Sequence, residues 1–132
     1  MILVDTSVLI DFFKGFSNPP VNRLHELLGE GIPFAITSVI YQEVLQGAKS
    51  EKEFALLQEY LSSQRFIYPQ DAVRTYEEAA RIYFSCRKQG VTIRSTIDCL
   101  IAQMTLEQDL TLLHNDKDFD AIASIVKLRL LR

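Results

Sequence analysis

Met1-Ile-Leu-Val-Asp-Thr-Ser-Val-Leu-Ile-Asp11 opens the chain, and the reading of this stretch decides the fold. Ile2, Leu3 and Val4 form an all-apolar run, too short for a buried helix and suited to a central parallel strand. Asp5 arrives where that strand ends, with Thr6 and Ser7 opening a helix that carries Val8, Leu9 and Phe12 on one face. In open α/β sheets ligands bind beyond the carboxyl ends of the strands, which puts Asp5 at the mouth of such a site. Asp is also a common helix cap, so Asp5 alone has two readings. The test is whether other acids converge on the same place.

Working outward, Ser17-Asn18-Pro19 signals a second helix through Val21, Leu24, Leu27 and Leu28. Pro33-Phe34-Ala35-Ile36 reads as a second strand, with Thr37 or Ser38 capping the helix after it. In that helix Ile40, Glu43, Val44 and Gly47 share one face, so Glu43 lies on the inward stripe. An inward carboxylate is costly unless it is paired or bound to a metal; the alternatives are snorkelling to water or an arginine partner. Glu51 to Leu61 is a further amphipathic helix. Arg65 to Pro69 is a third strand, and a long helix runs from Asp71 through Val73, Tyr76, Ala80, Tyr83 and Phe84 to near Gly90.

Ser95-Thr-Ile-Asp98 then starts a helix whose buried face is Ile97, Leu100, Ile101 and Met104. Asp98 stands three residues after Ser95, which is also the capping-box position. Thr111-Leu112-Leu113 is a fourth strand, and Asp116 follows it much as Asp5 follows the first. Ile125 to Leu131 reads as a fifth, edge-like strand. The order of elements describes a three-layer α/β/α fold with a central parallel sheet of about five short strands.

The bounds agree. With 132 residues, 48% of them hydrophobic and no Trp, the chain is long enough for one domain (1–132) with a proper core. A net charge of −3 gives little non-specific attraction for phosphate, so nucleic-acid binding would need a local basic patch or an ion. Cys86 and Cys99 lack metal-ligand spacing and read as reduced core thiols, which suggests a cytoplasmic protein. The start lacks the basic region of a signal peptide, and no segment approaches membrane-spanning length.

Each acid has a plain structural explanation, but the set has a poorer one. If strands one and four are neighbours, Asp5, Glu43, Asp98 and Asp116 meet in one cleft. Four unpaired carboxylates would repel, and a hard divalent cation such as Mg²⁺ or Mn²⁺ resolves that with oxygen ligands. Thr6, Ser95 and Asn115 are candidates to support those acids or hold water. Arg94 and Lys117 flank them and are candidates for RNA phosphates, with a solvated surface as the alternative.

Asp-Thr-Ser-Val-Leu-Ile-Asp at the start, Glu43-Val-Leu-Gln-Gly47, Ser95-Thr-Ile-Asp98-Cys-Leu-Ile-Ala102 and Asn115-Asp116-Lys-Asp118-Phe119 resemble the motifs of PIN-domain ribonucleases, and more narrowly VapC toxins of toxin–antitoxin pairs. The resemblance spans the whole chain in order. It implies an acidic quartet of Asp5, Glu43, Asp98 and Asp116 holding Mg²⁺ or Mn²⁺, with Asp118 the alternative to Asp116 or a support for it. It implies endonucleolytic RNA cleavage by a metal-activated water, a small VapB-like antitoxin as partner, and a homodimer, for which the helix bearing Tyr76, Tyr83 and Phe84 is a candidate face. Phe12, Phe13, Phe16, Leu56 and Leu57 are candidates for an antitoxin groove. Two rivals remain at this point. A haloacid-dehalogenase-like phosphatase would want an acid where Ser7 stands, and a degenerate partner-binding module would tolerate loss of the acids.

Overall fold

A computed structural model describes residues 1–131. Its elements run β1 (Ile2–Val4), α1 (Thr6–Phe13), α2 (Pro19–Gly29), β2 (Phe34–Thr37), α3 (Ser38–Gln46), α4 (Glu51–Ser62), β3 (Arg65–Ile67), α5 (Arg74–Lys88), α6 (Thr96–Glu107), β4 (Thr111–Leu113) and α7 (Lys117–Ala123). The four strands pair in parallel in the order β3-β2-β1-β4. Leu3, Val4 and all four residues of β2 are buried, as expected for strands covered on both faces. Helix α1 packs on both α2 and α3, with α4 on α3, and α5, α6 and α7 form a second packed series.

β1 and β4 are neighbours. Val4 pairs with Leu113, and the Asp5 N–H donates to the Leu113 carbonyl at 2.9 Å. The strand-end acids Asp5 and Asp116 therefore emerge side by side at one edge of the sheet. Local chemistry fixes the helix starts as the sequence suggests. Asn18 caps α2 by accepting the Val21 N–H, and Thr37 caps α3 by accepting that of Ile40.

Three expectations need correction. The fifth strand shrinks to one bridge between Leu112 and Leu130, with two backbone hydrogen bonds, because the chain turns away after so short a partner as β4. The long helix begins at Arg74; Asp71 precedes it and accepts the N–H groups of Val73 and Arg74. Its buried face is Thr75, Ala79, Ile82 and Cys86, which leaves Tyr76 and Phe84 about half exposed. Among the candidate groove residues, Leu57 belongs to the core, whereas Phe16 and Leu56 are exposed.

Candidate active site

Asp5 ends β1 in an extended conformation and caps α1, accepting the Ser7 N–H at 3.0 Å and the Ser7 hydroxyl at 2.6 Å. The cap and the site are thus one device. The bonds that start the helix also aim the carboxylate. Asp116 repeats this after β4, capping α7 by accepting the Asp118 N–H at 2.9 Å. Glu43 lies half-buried on α3, and its Oε1 accepts the Thr6 hydroxyl at 2.8 Å. Among the described residues it has no arginine partner.

Asp98 is buried, as Asp5 is. α6 is buried around most of its circumference, so an acid in its first turn cannot reach open solvent. A capping box would give this carboxylate the Ser95 N–H and would give the Asp98 N–H to the Ser95 hydroxyl. Neither bond forms. The Ser95 N–H donates to Asp118 instead, at 3.3 Å, and the Asp98 N–H goes to the Ser95 carbonyl. Asp98 Oδ2 is left buried without a hydrogen-bond partner.

Asp5, Thr6, Ser7, Glu43, Ser95, Asp98 and Asp116, with Ile10, line one cavity of about 240 Å³. Asp98, Asp116 and Asp118 each bring a carboxylate oxygen within 4.8 Å of the other two. Burial, the charges of Asp116 and Asp5, and contact with Asp118 push Asp98 up to about 8. Burial also raises Asp5, against the hydrogen bonds from Ser7. This concentration of acids fits a hard divalent cation: the donors are carboxylate oxygens, no thiol or imidazole lines the cavity, and the orphaned Asp98 oxygen is unmet without one.

Of the flanking candidates, Thr6 and Ser95 reach the cavity. Asn115 turns away: its backbone N–H donates to Ser7 Oγ at 2.9 Å and its amide reaches Asp11 at 3.4 Å. Asp118 accepts the N–H groups of Arg94 and Ser95, at 3.1 and 3.3 Å, and thereby ties α7 to the start of α6. The Arg94 side chain leans over Asp116 and Asp118, at 3.6 and 3.4 Å. Lys117 is exposed. Two further residues support the acids. Ser7 bridges Asp5 to the Asn115 backbone, and its position two residues after Asp5 was the available signal. His114, packed on Phe119, accepts the Asp116 N–H through Nδ1 at 3.0 Å; nothing in its local sequence separates it from an ordinary strand-end histidine.

Known proteins resemble this chain in sequence and fold. The PIN domain family model matches residues 2–125. Ribonuclease VapC11 of Mycobacterium tuberculosis is 32% identical over 130 residues, covering 98% of this chain and 96% of that protein. Ribonuclease VapC51 of the same organism is 33% identical, covering 93% of this chain and 85% of its own length. Among solved structures, DNA-bound VapBC from Salmonella typhimurium superposes with a TM-score of 0.75 at 17% identity, covering 98% of this chain and 96% of that one. VapBC2 from Rickettsia felis, bound to a fragment of its promoter, gives 0.73 at 23% identity over 99% and 98% of the two chains. Membership of this family sets aside the phosphatase alternative, which Ser7 disfavours by holding Asp5 where that chemistry needs a second acid. The chain belongs to the PIN domain family, in its VapC branch.

Proposed function

We propose that this chain is an endoribonuclease that depends on Mg²⁺ or Mn²⁺, acting as the toxin of a toxin–antitoxin pair, with Asp5, Glu43, Asp98 and Asp116 as its metal-holding acids. The observation that carries the reading is the orphaned, buried Asp98 oxygen in a cavity shared with the other three carboxylates. A bound divalent cation would acidify a water and neutralise charge that develops on the phosphate oxygens. The remaining work falls to the chain. Ser7 and the Asp118 N–H aim Asp5 and Asp116, while the Thr6 hydroxyl holds Glu43. Asp98, pushed up to about 8 by burial and its neighbours' charges, would hold a proton without a metal and release it when one is bound. No side-chain nucleophile is needed, and both cysteines are buried away from the cavity. Arg94 and Lys117 stand beside the acids as cations for RNA phosphates.

The solved neighbours are toxin–antitoxin complexes, which supports a VapB-like antitoxin as partner here. A cleft of acids attracts a basic side chain, so an antitoxin arginine would compete with the metal for Asp5, Glu43 or Asp98. The antitoxin segment would lie along α1 and α4, where Phe13 meets Tyr60 edge-on and Phe16 and Leu56 are exposed. A second copy would pack on the exposed Tyr76 and Phe84 of α5. No helix is long and apolar enough to cross a membrane among the described residues, and the reading places the chain in the cytoplasm with its RNA.

Purified chain is incubated with total RNA in Mg²⁺, in Mn²⁺ and in excess chelator. Cleavage confined to the metal-containing samples and absent with Asp98→Asn is expected. Equal cleavage in chelator, or by Asp98→Asn, overturns the reading. A map of the cut sites then identifies the RNA, with transfer RNA the first candidate.

A further inference from the structure

Arg94 contributes to the site in two separable ways. Its backbone N–H donates to the buried Asp118 carboxylate at 3.1 Å, which anchors the loop before α6. Its side chain is 73% exposed, yet the guanidinium lies 3.6 Å from Asp116 and 3.4 Å from Asp118. Those two acids, with Asp98, form the tightest carboxylate cluster in the chain among the described residues. The guanidinium is therefore a cation already present beside the acids, held by long contacts from a largely exposed side chain, an arrangement that contributes little and releases easily. The unpartnered Asp98 oxygen shows that Arg94 leaves the third acid of that cluster unmet. Its neutralisation of the cluster is partial and confined to the rim.

We propose that Arg94 is a counter-ion gate. In the metal-free protein its guanidinium rests on Asp116 and Asp118, and when a divalent cation takes over Asp116 that hold is loosened and the guanidinium is released to a phosphate of the substrate. The inference rests on the metal-dependent reading above and adds an order to it: metal first, then phosphate. Coupling of this kind is reciprocal, so each ligand should strengthen the other through the same side chain. Arginine suits the second role because its planar fork matches two phosphate oxygens.

Calorimetric titration of the full chain with Mn²⁺ tests the first half. Arg94→Gln keeps the backbone anchor to Asp118 and removes only the competing charge. It should bind Mn²⁺ about two- to fivefold tighter than the parent, the range that breaking an exposed pair allows. Lys117→Gln removes a neighbouring charge, and its smaller change separates contact from general field. The second half is read with a 5′-phosphorylated mononucleotide, which offers a phosphate and no internal bond to cut. In Mn²⁺ the parent should bind it several-fold more tightly than Arg94→Gln does; in chelator the two should match. Mn²⁺ binding that is equal in parent and Arg94→Gln, or no tighter than in Lys117→Gln, overturns the gate and leaves the metal-dependent reading standing. Absence of Mn²⁺ binding by every form overturns both. A mononucleotide preference that persists in chelator shows that Arg94 is never held back by the acids, and overturns the ordering.

Discussion

Asp98 and Asp118 are adjacent carboxylates of almost equal burial, 7% and 5% exposed, and they live in opposite circumstances. Asp118 accepts backbone N–H groups from Arg94 and Ser95 and leans on a guanidinium, so its charge is met by the fold. Asp98 has an oxygen with no partner and carries a proton up to about pH 8. Folding normally removes such orphans, because a buried unsatisfied group costs about 1–3 kcal/mol. The fold gives the Ser95 N–H, which Asp98 would have taken in a capping box, to Asp118. One acid ties α7 to the loop before α6, and the other is left with an oxygen unmet. Burial alone does not tell these roles apart; the hydrogen-bond account does.

The comparison predicts opposite phenotypes for the two acids. The largest effect belongs to Asp98→Asn. It should lower metal-dependent RNA cleavage by about a thousandfold or more, on the scale of losing a principal electrostatic contact of the transition state. The same change should leave metal-free stability unchanged or raised, since an amide stays neutral at every pH and can donate toward Asp118 as the protonated acid does. Cleavage kinetics and denaturant unfolding in chelator would check both halves. A large stability loss would make Asp98 a structural acid like its neighbour. Asp118→Ala should do the reverse in the unfolding experiment, costing about 2–3 kcal/mol because the Arg94 and Ser95 N–H groups lose their acceptor.

The proton on Asp98 gives a third test of intermediate size. Its folded pKa, about 8, lies above an unfolded value near 3.8. Between these limits the folded state binds more protons than the unfolded state. The contribution to metal-free stability is therefore fully present below about pH 4 and is lost as pH rises through about 8. Asp5 is raised in the same direction and adds to the slope. In the parent, unfolding free energy in chelator should fall across this window, and Asp98→Asn should flatten much of the decline. The stabilisation conferred by Mn²⁺ should grow over the same range as it displaces fewer protons. A parent profile that rises from pH 5 to 8 in chelator would contradict the account of Asp98.

What could be read from the sequence divides along the same line. Strand-end acids are legible because a short apolar run followed by Asp has a fixed place in a parallel sheet, and the β1–β4 pairing brings Asp5 and Asp116 together as that reading requires. Glu43 is legible from helical period, since Ile40 and Val44 are both buried beside it. The anchoring role of Asp118 is not, because its partners sit on a loop at positions 94 and 95 and only the packing of α6 against α7 brings them near. The same limit explains α5. Tyr76 and Phe84 look apolar enough to be core, but Thr75, Ala79, Ile82 and Cys86 give the smaller profile that lets α5 pack closely on α6. Helix period fixes which residues share a face, and tertiary packing chooses the face.

Asp5 stands between the two extremes, and Ser7 decides how far it leans. Burial raises this carboxylate as it does Asp98, while the Ser7 hydroxyl and N–H oppose the shift. The hydroxyl also accepts the Asn115 N–H, so it stitches the start of α1 to the turn after β4. Ser7→Ala removes one donor and one acceptor but keeps the backbone bond to Asp5. Asn115 is exposed, so water can replace its lost partner. The loss of stability in chelator should therefore be the smallest of the series, about 0.5–1.5 kcal/mol. Its more telling consequence is on protonation. With the hydroxyl gone, Asp5 should hold its proton to higher pH, and the pH at which Mn²⁺ binding reaches half its limiting strength should move upward. Mn²⁺ titrations of parent and Ser7→Ala at several pH values give the comparison. An unmoved midpoint would mean that the Ser7 hydroxyl only ties Asp5 to the turn after β4, and that burial and the backbone N–H groups tune this carboxylate.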